Sequence, residues 1–237
     1  MSAVGAATQR FATLTKEEFQ DLKVLDSCAV ANALERFRLP FRHEGYTEAG
    51  LPCRYPEMLP ILGYAVTLKV RSALSPDKGG SVLEKPEWLD TLLAIPSPRI
   101  LVLQDMDRFP GAAALIGYVQ ACILKTLDCV AVVTNGAVRE ISRIEGSDFQ
   151  VFSGSLSVSQ ANSQVVHVGE PVQIGGLEIS SGDLIHGDCH GIVRIPRELA
   201  ARIPGTAAAL RKKDDAIMSF CHSSEFSIEG LRDLLAE

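Results

Sequence analysis

Cys129-Val130-Ala131-Val132-Val133-Thr134-Asn135-Gly136-Ala137-Val138-Arg139-Glu140 is the stretch on which the fold turns. Its opening run, Cys129 to Val133, is apolar throughout, the pattern of a fully buried strand. Asn135-Gly136 then predicts a turn, which leaves Arg139 and Glu140 just beyond the strand's carboxyl end. In open α/β sheets that is where ligands bind. A cation able to grip a carboxylate, beside a carboxylate able to grip a metal, reads as an organic-acid site. The plainer reading is an exposed arginine and an acidic residue in the first turn of the segment 138–144.

Upstream, Ile100–Leu103 reads as a short buried strand followed by Asp105-Met106-Asp107 and a glycine-bearing loop, Pro110 to Gly117. A helix with Val119, Cys122 and Ile123 on one face comes next, starting near Gly111 or near Gly117. A start at Gly117 leaves the amides of Gly117, Tyr118, Val119 and Gln120 as first-turn donors that favour an anion. The loop lacks the spacing of a nucleotide-binding motif and equally fits a plain strand-to-helix connection. Further upstream, Ile61–Val70 reads as a strand and Pro86–Ile95 as a helix with Pro86 in its first turn. Residues 41–60, with their glycines and prolines, form a long irregular segment of the kind that carries function.

Nearer the N-terminus, Thr15-Lys16-Glu17-Glu18 is a capping box that opens a first helix. Ser27 is placed to cap a second, running through Val30, Leu34 and Phe37 to a stop at Pro40. From Phe149 the texture changes to short β-like pieces (149–153, 165–168, 172–179, 183–186 and 191–195), which read as antiparallel strands. Helix follows from Pro196 to Lys213, interrupted at Pro204-Gly205, and again from Ser227 to Ala236. The expectation is one mixed α/β domain over residues 1–237, with helices at both termini.

The chain's 237 residues are 46% apolar, which argues against disorder, and 22% charged, which argues against a membrane protein. A net charge of -6 gives nucleic acid no general electrostatic hold. The basic cluster Arg211-Lys212-Lys213 is followed at once by Asp214-Asp215 and reads as a solvated helix end. Six cysteines are scattered without a CxxC pair, so no disulfide framework is expected, and Cys28, Cys122 and Cys129 read as small hydrophobes. Met1–Thr13 does not read as a signal peptide, and no apolar run approaches the ~20 residues of a membrane span. The expected location is the cytoplasm.

His186-Gly187-Asp188-Cys189-His190 invites a metal reading, yet no distant ligands complete it; the alternative is a tight hairpin whose Asp188 bonds its own backbone. His43, His167 and His222 are isolated. Ser27, Ser153 and Ser155 lack a nucleophile-elbow context.

Taken together, four segments resemble the RraA-like family, which includes 4-hydroxy-4-methyl-2-oxoglutarate aldolases and regulators of ribonuclease E activity. They are Ser27 to Leu34, Leu62 to Leu68, Gly117 to Glu140, and Ser181 to Asp188 leading into Gly191 to Pro196. The resemblance covers about residues 20 to 200 and favours the hairpin reading of the His186 cluster. It implies an α/β fold of the swivelling β/β/α type, three layers with mixed sheets and terminal helices packed on the domain or on neighbouring subunits. It also implies a homotrimer or homohexamer with sites between subunits. In the aldolases, loop amides and an arginine hold a 2-keto acid that also chelates Mg²⁺ or Mn²⁺, and the metal stabilises the pyruvate enolate left by C–C cleavage.

Carried over by residue, Arg139 matches the substrate-binding and catalytic arginine, and the amides of Gly117, Tyr118, Val119 and Gln120 match the carboxylate cradle. Glu140 falls at the aldolases' metal-binding aspartate. Tyr118 departs from the family's acidic residue and puts a neutral phenol there. Asn32 and Asn135 also stand where aspartates are common. The resemblance therefore implies one of two functions. The first is a divalent-metal-dependent lyase that releases pyruvate, by cleaving a 4-hydroxy-4-methyl-2-oxoglutarate-like acid or decarboxylating oxaloacetate. The second is a non-catalytic regulator or small-acid binder that has lost the metal.

Overall fold

Alternation along the central strands builds two cores on one sheet. The computed structural model describes residues 13–37, 45–48, 50–72 and 87–236. Its strands are β1 (Ile61–Arg71), β2 (Arg99–Asp105), β3 (Ala114–Ile116), β4 (Cys129–Val138), β5 (Gln150–Leu156), β6 (Gln164–Val168), β7 (Val172–Ile174), β8 (Leu177–Ile179), β9 (Leu184–Asp188) and β10 (Gly191–Ile195). Eight of them form one sheet, in which β1, β2, β4 and β5 run parallel in the order β1-β2-β4-β5. Antiparallel β9 and β10 extend it beyond β1, and β6 pairs with the far end of β1. Successive side chains of a strand point to opposite faces. Val66, Leu68, Leu101, Leu103 and Val132 accordingly join one buried cluster, and Ala65, Ile100, Val102, Ala131 and Val133 join another.

Helices cover the first face: α1 (Lys16–Lys23), α2 (Ser27–Glu35), α3 (Glu87–Ala94), α4 (Tyr118–Thr126), α5 (Ile141–Ile144), α6 (Arg197–Ala200) and α7 (Ile203–Cys221). The β7–β8 hairpin covers the second, with Val172, Ile174, Leu177 and Ile179 all buried against it. Hairpin, sheet and helices make the β/β/α layering that the resemblance implied. The last helix, α8 (Ile228–Ala236), rests on α7, where Phe220 and Phe226 rings lie 5.8 Å apart, and it has no buried residue.

The capping box forms as expected: Thr15 Oγ1 accepts from the Glu18 amide at 3.2 Å, and Glu18 takes the Thr15 amide at 2.8 Å. Several expectations are corrected. Asn135-Gly136 makes no turn, because β4 runs through both residues to Val138. Asn135 Oδ1 accepts from the Asp105 amide at 2.7 Å and its Nδ2 donates to the Asp105 carbonyl at 3.0 Å, so its side chain extends the ladder to β2. The kink is taken up as a register shift against β5 between Thr134 and Ala137. β5 is parallel to β4, not antiparallel, because the connection 139–149, which includes α5, carries the chain back to the other end of the sheet.

Asp26, not Ser27, caps α2, accepting from the Ala29 amide at 2.7 Å. Pro204 sits in the first turn of α7, where proline is tolerated. The helix therefore runs on to Cys221, and Arg211-Lys212-Lys213 lie within it rather than at its end. All six cysteines are free; Cys129 is buried, but Cys28 and Cys122 are exposed on helix surfaces. Pro40, His43 and Pro86 lie outside the described residues. No helix among the described residues is long and apolar enough to cross a membrane.

Candidate carboxylate site at the end of the fourth strand

β4 ends at Val138, and the next two residues turn the chain into α5. Glu140 adopts the left-handed conformation (φ 56°), which only an abrupt change of direction requires of a non-glycine residue. Its carboxylate is thereby swung back over the start of α4. The α4 helix begins at Tyr118 with Gly117 as its cap, which settles the alternative starts left open by the sequence. The Arg139 amide donates to the Ile116 carbonyl at 3.0 Å, clamping the end of β4 beside that cap.

Gly117 is the point of closest approach. A Cβ there would lie 2.7 Å from Glu140 Oε2 and 3.2 Å from Arg139 Nε. The absence of a side chain is what lets both functional groups meet the first turn of α4.

The first-turn amides divide unequally. Gly117 donates to its own helix's Gln120 Oε1 at 3.0 Å, and Tyr118 donates to Glu140 Oε2 at 3.0 Å. Two of the four expected cradle amides are thus filled by the protein itself. The Val119 amide is a first-turn donor without an intrahelical acceptor, and the Val119 side chain is exposed.

Glu140 is the hub. Arg143 Nη1 bonds its Oε1 at 2.9 Å, and Arg139 Nε lies 3.8 Å from Oε2. The Tyr118 amide, followed by the Arg143 and Arg139 charges, holds its carboxyl below the ordinary 4.5. Arg143 also lies 4.3 Å over the centre of the Tyr118 ring, a cation–π contact. Arg139 Nη2 bonds Gln160 Oε1 at 3.1 Å. Sequence reasoning missed Arg143 and Gln160. Arg143 carried a signal in its spacing of three from Glu140 on a helix, whereas Gln160 comes from a loop after β5 and carried none.

The resemblance implied a divalent cation on Glu140, and among the described residues the donor set around that carboxylate does not fit one. Both oxygens take protein donors, two guanidiniums stand alongside, and Tyr118 brings a neutral phenol. Among the described residues the grouped candidate ligands are Asp188, Cys189 and His190. They lie where β9 turns into β10; Cys189 and His190 are exposed, and Asp188 is buried and holds structural partners. Asp188 accepts from the His190 amide at 2.8 Å, as the hairpin reading expected, and from the Ser27 amide of α2 at 2.7 Å. His186 is buried between Ser27 Oγ and the Leu25 carbonyl, at 3.0 Å from each. This turn is a clasp for the start of α2.

Comparison with known proteins agrees with the fold. A family model described as RraA-like, Aldolase/RraA, matches residues 27–194. A protein of Halalkalibacterium halodurans named "Putative 4-hydroxy-4-methyl-2-oxoglutarate aldolase" is 29% identical over 93 residues, 39% of this chain and 44% of that protein. Protein DlpA of Legionella pneumophila is 28% identical over 87 residues, 36% of this chain. The chain thus spans under half of the first relative and 14% of the second.

Among solved structures, an uncharacterized protein from Pseudomonas syringae pv. tomato superposes with a TM-score of 0.71 at 20% identity, covering 94% of this chain and 96% of that one. RraAS2 of Streptomyces coelicolor, described as an unusual member of the RNase ES inhibitor RraA protein family, gives 0.66 at 18% identity, over 86% and 97%. At such identities the likeness is one of fold. With most of its length matched by the family model, this chain belongs to the RraA-like family.

Proposed function

We propose that this chain binds a small 2-keto acid where β4 meets α4, and that it is a lyase acting on the carbon–carbon bond of that acid. The observation that carries the proposal is the placing of Arg139 and the first turn of α4 on either side of side-chain-free Gly117. A 2-keto acid presents a carboxylate oxygen and a keto oxygen side by side, which a guanidinium fork can grip together. Helix first-turn donors favour the same negative charge.

Two reactions suit such a grip: aldol cleavage of a 4-hydroxy-4-methyl-2-oxoglutarate-like acid, and decarboxylation of oxaloacetate. In each, the bond between C3 and C4 breaks and its electron pair passes into the keto group, giving pyruvate enolate. C4 leaves as a second pyruvate in the first case, once its hydroxyl proton is lost, and as CO₂ in the second. A proton then adds at C3. Positive groups fixed beside the keto oxygen stabilise the charge that develops there. In this reading Arg139 does so. The similarity of one stretch to the Halalkalibacterium protein supports this choice of reaction.

A second reading, a non-catalytic acid binder or regulator, is favoured by Tyr118 and by the commitment of both Glu140 oxygens. The assay is pyruvate release from both acids, in Mg²⁺ or Mn²⁺ and in EDTA, with Arg139→Ala alongside. Turnover that disappears in Arg139→Ala is the expected result. Saturable binding of the acids without turnover above that control gives the second reading. Neither binding nor turnover overturns both. The proposal includes a homotrimer or homohexamer in the cytoplasm, which sedimentation and cell fractionation test.

A further inference from the structure

We infer that Arg143 is a built-in counter-cation for Glu140, so that this site takes its acid ligand without a divalent metal. The inference presupposes the acid site proposed above only in its final clause; the pairing itself stands on geometry. One carboxylate faces two guanidiniums, Arg143 at 2.9 Å and Arg139 at 3.8 Å. The Tyr118 amide donates to the same carboxylate at 3.0 Å, so each of its oxygens already holds one close donor. A divalent ion arriving at Glu140 would have to compete with the Arg143 bond and sit beside two positive guanidiniums.

Tyr118 makes the arrangement durable. Its ring is the shelf on which the Arg143 guanidinium rests, 4.3 Å from the centre. An acidic side chain at 118 would instead add negative charge to the same spot and draw the guanidinium off Glu140. Tyr118 and Arg143 thus act together: one withholds a ligand, and the other fills the place a cation would occupy. The short α5 helix ties them to the strand end, since the Arg143 amide donates to the Glu140 carbonyl at 2.9 Å.

The test is a Mn²⁺ titration of metal-stripped protein, followed by loss of the free-ion signal in electron paramagnetic resonance. Glu140→Gln serves as the subtraction control, because ions held at the Asp188–His190 turn do not depend on Glu140. The Arg143 side chain is more than half exposed, so Arg143→Ala leaves the core intact. The expected result is no Glu140-dependent Mn²⁺ binding in the native chain. Arg143→Ala and Tyr118→Glu should each bind Mn²⁺ at least ~10-fold more tightly, a gain removed by adding Glu140→Gln. Native binding that Glu140→Gln abolishes would overturn the inference, as would the absence of any gain in both variants. Oxalate binding in EDTA, read on the same native sample, keeps the two claims apart: its absence counts against the acid site, whereas Mn²⁺ on native Glu140 counts against the counter-cation.

Discussion

Asn135 acts as a piece of backbone: its carboxamide accepts from and donates to the main chain of Asp105, thirty positions earlier in the chain. An aspartate retains the acceptor and loses the donor. Asn135→Asp should therefore cost about 1–3 kcal/mol of unfolding free energy, the usual penalty for an unmet buried polar group. An unchanged urea midpoint would contradict that. His186 predicts a pH effect. Burial holds it below its ordinary 6.5, against the opposing pull of Asp188. As the pH falls through 6.5 the unfolded chain takes up a proton that the folded chain refuses, so stability is full above 6.5 and declines below it. Asp188 and Glu140 are also depressed, and they add losses of the same sign, but only below their ordinary 3.8 and 4.5. Between about pH 7.5 and 5.5 the native urea midpoint should fall, while that of His186→Gln should stay level. A native midpoint that stays level would show that His186 titrates freely.

Elements defined by neighbours in sequence were legible from the residues, and those defined by distant partners were not. The Thr15–Glu18 box closes within one helical turn, and the buried runs of β1, β2 and β4 announce themselves by composition. Asn135-Gly136 carries turn chemistry but is held straight by Asp105. The Ser27 amide is taken by Asp188, 161 positions away, and its neighbour Asp26 is left to cap α2. The short β3 was invisible, since three residues paired to the end of β4 and bridged to Gln160 leave no pattern. At the site, the positions of Arg139 and Glu140 just past the strand end could be read from sequence and the α4 start only as one of two alternatives, while the self-satisfaction of Gly117, Tyr118 and Glu140 could not. The strand–helix junction yields its own prediction. Gly117 has an extended backbone that any residue adopts, so Gly117→Ala should fold with near-native stability. Its Cβ collides with the ends of Glu140 and Arg139, and acid affinity should drop by roughly tenfold, a cost of about 1.4 kcal/mol. Equal affinity by calorimetry would mean that the close approach is incidental.

At the scale of the molecule, the central strands β1, β2 and β4 are largely buried on both faces, and that determines how substitutions should behave. Ile100 and Leu101 are adjacent on β2, both fully buried, one under the β7–β8 hairpin and the other under the helices. Ile100→Ala and Leu101→Ala should each cost about 2–5 kcal/mol. A loss confined to Leu101→Ala would mean that the hairpin does not seal its face. The layers matter to function because they bring the carboxyl ends of β2, β4 and β5 to one edge, where α4, the β4 end and the Gln160 loop converge on Arg139. The most direct test of the account is a calorimetric titration of pyruvate and oxalate, in EDTA, into the native chain and into Arg139→Ala. The account predicts saturable binding to the native chain and at least ~10-fold weaker binding to the variant, about 1.4 kcal/mol or more. Equal binding to the two, or none to either, would contradict it.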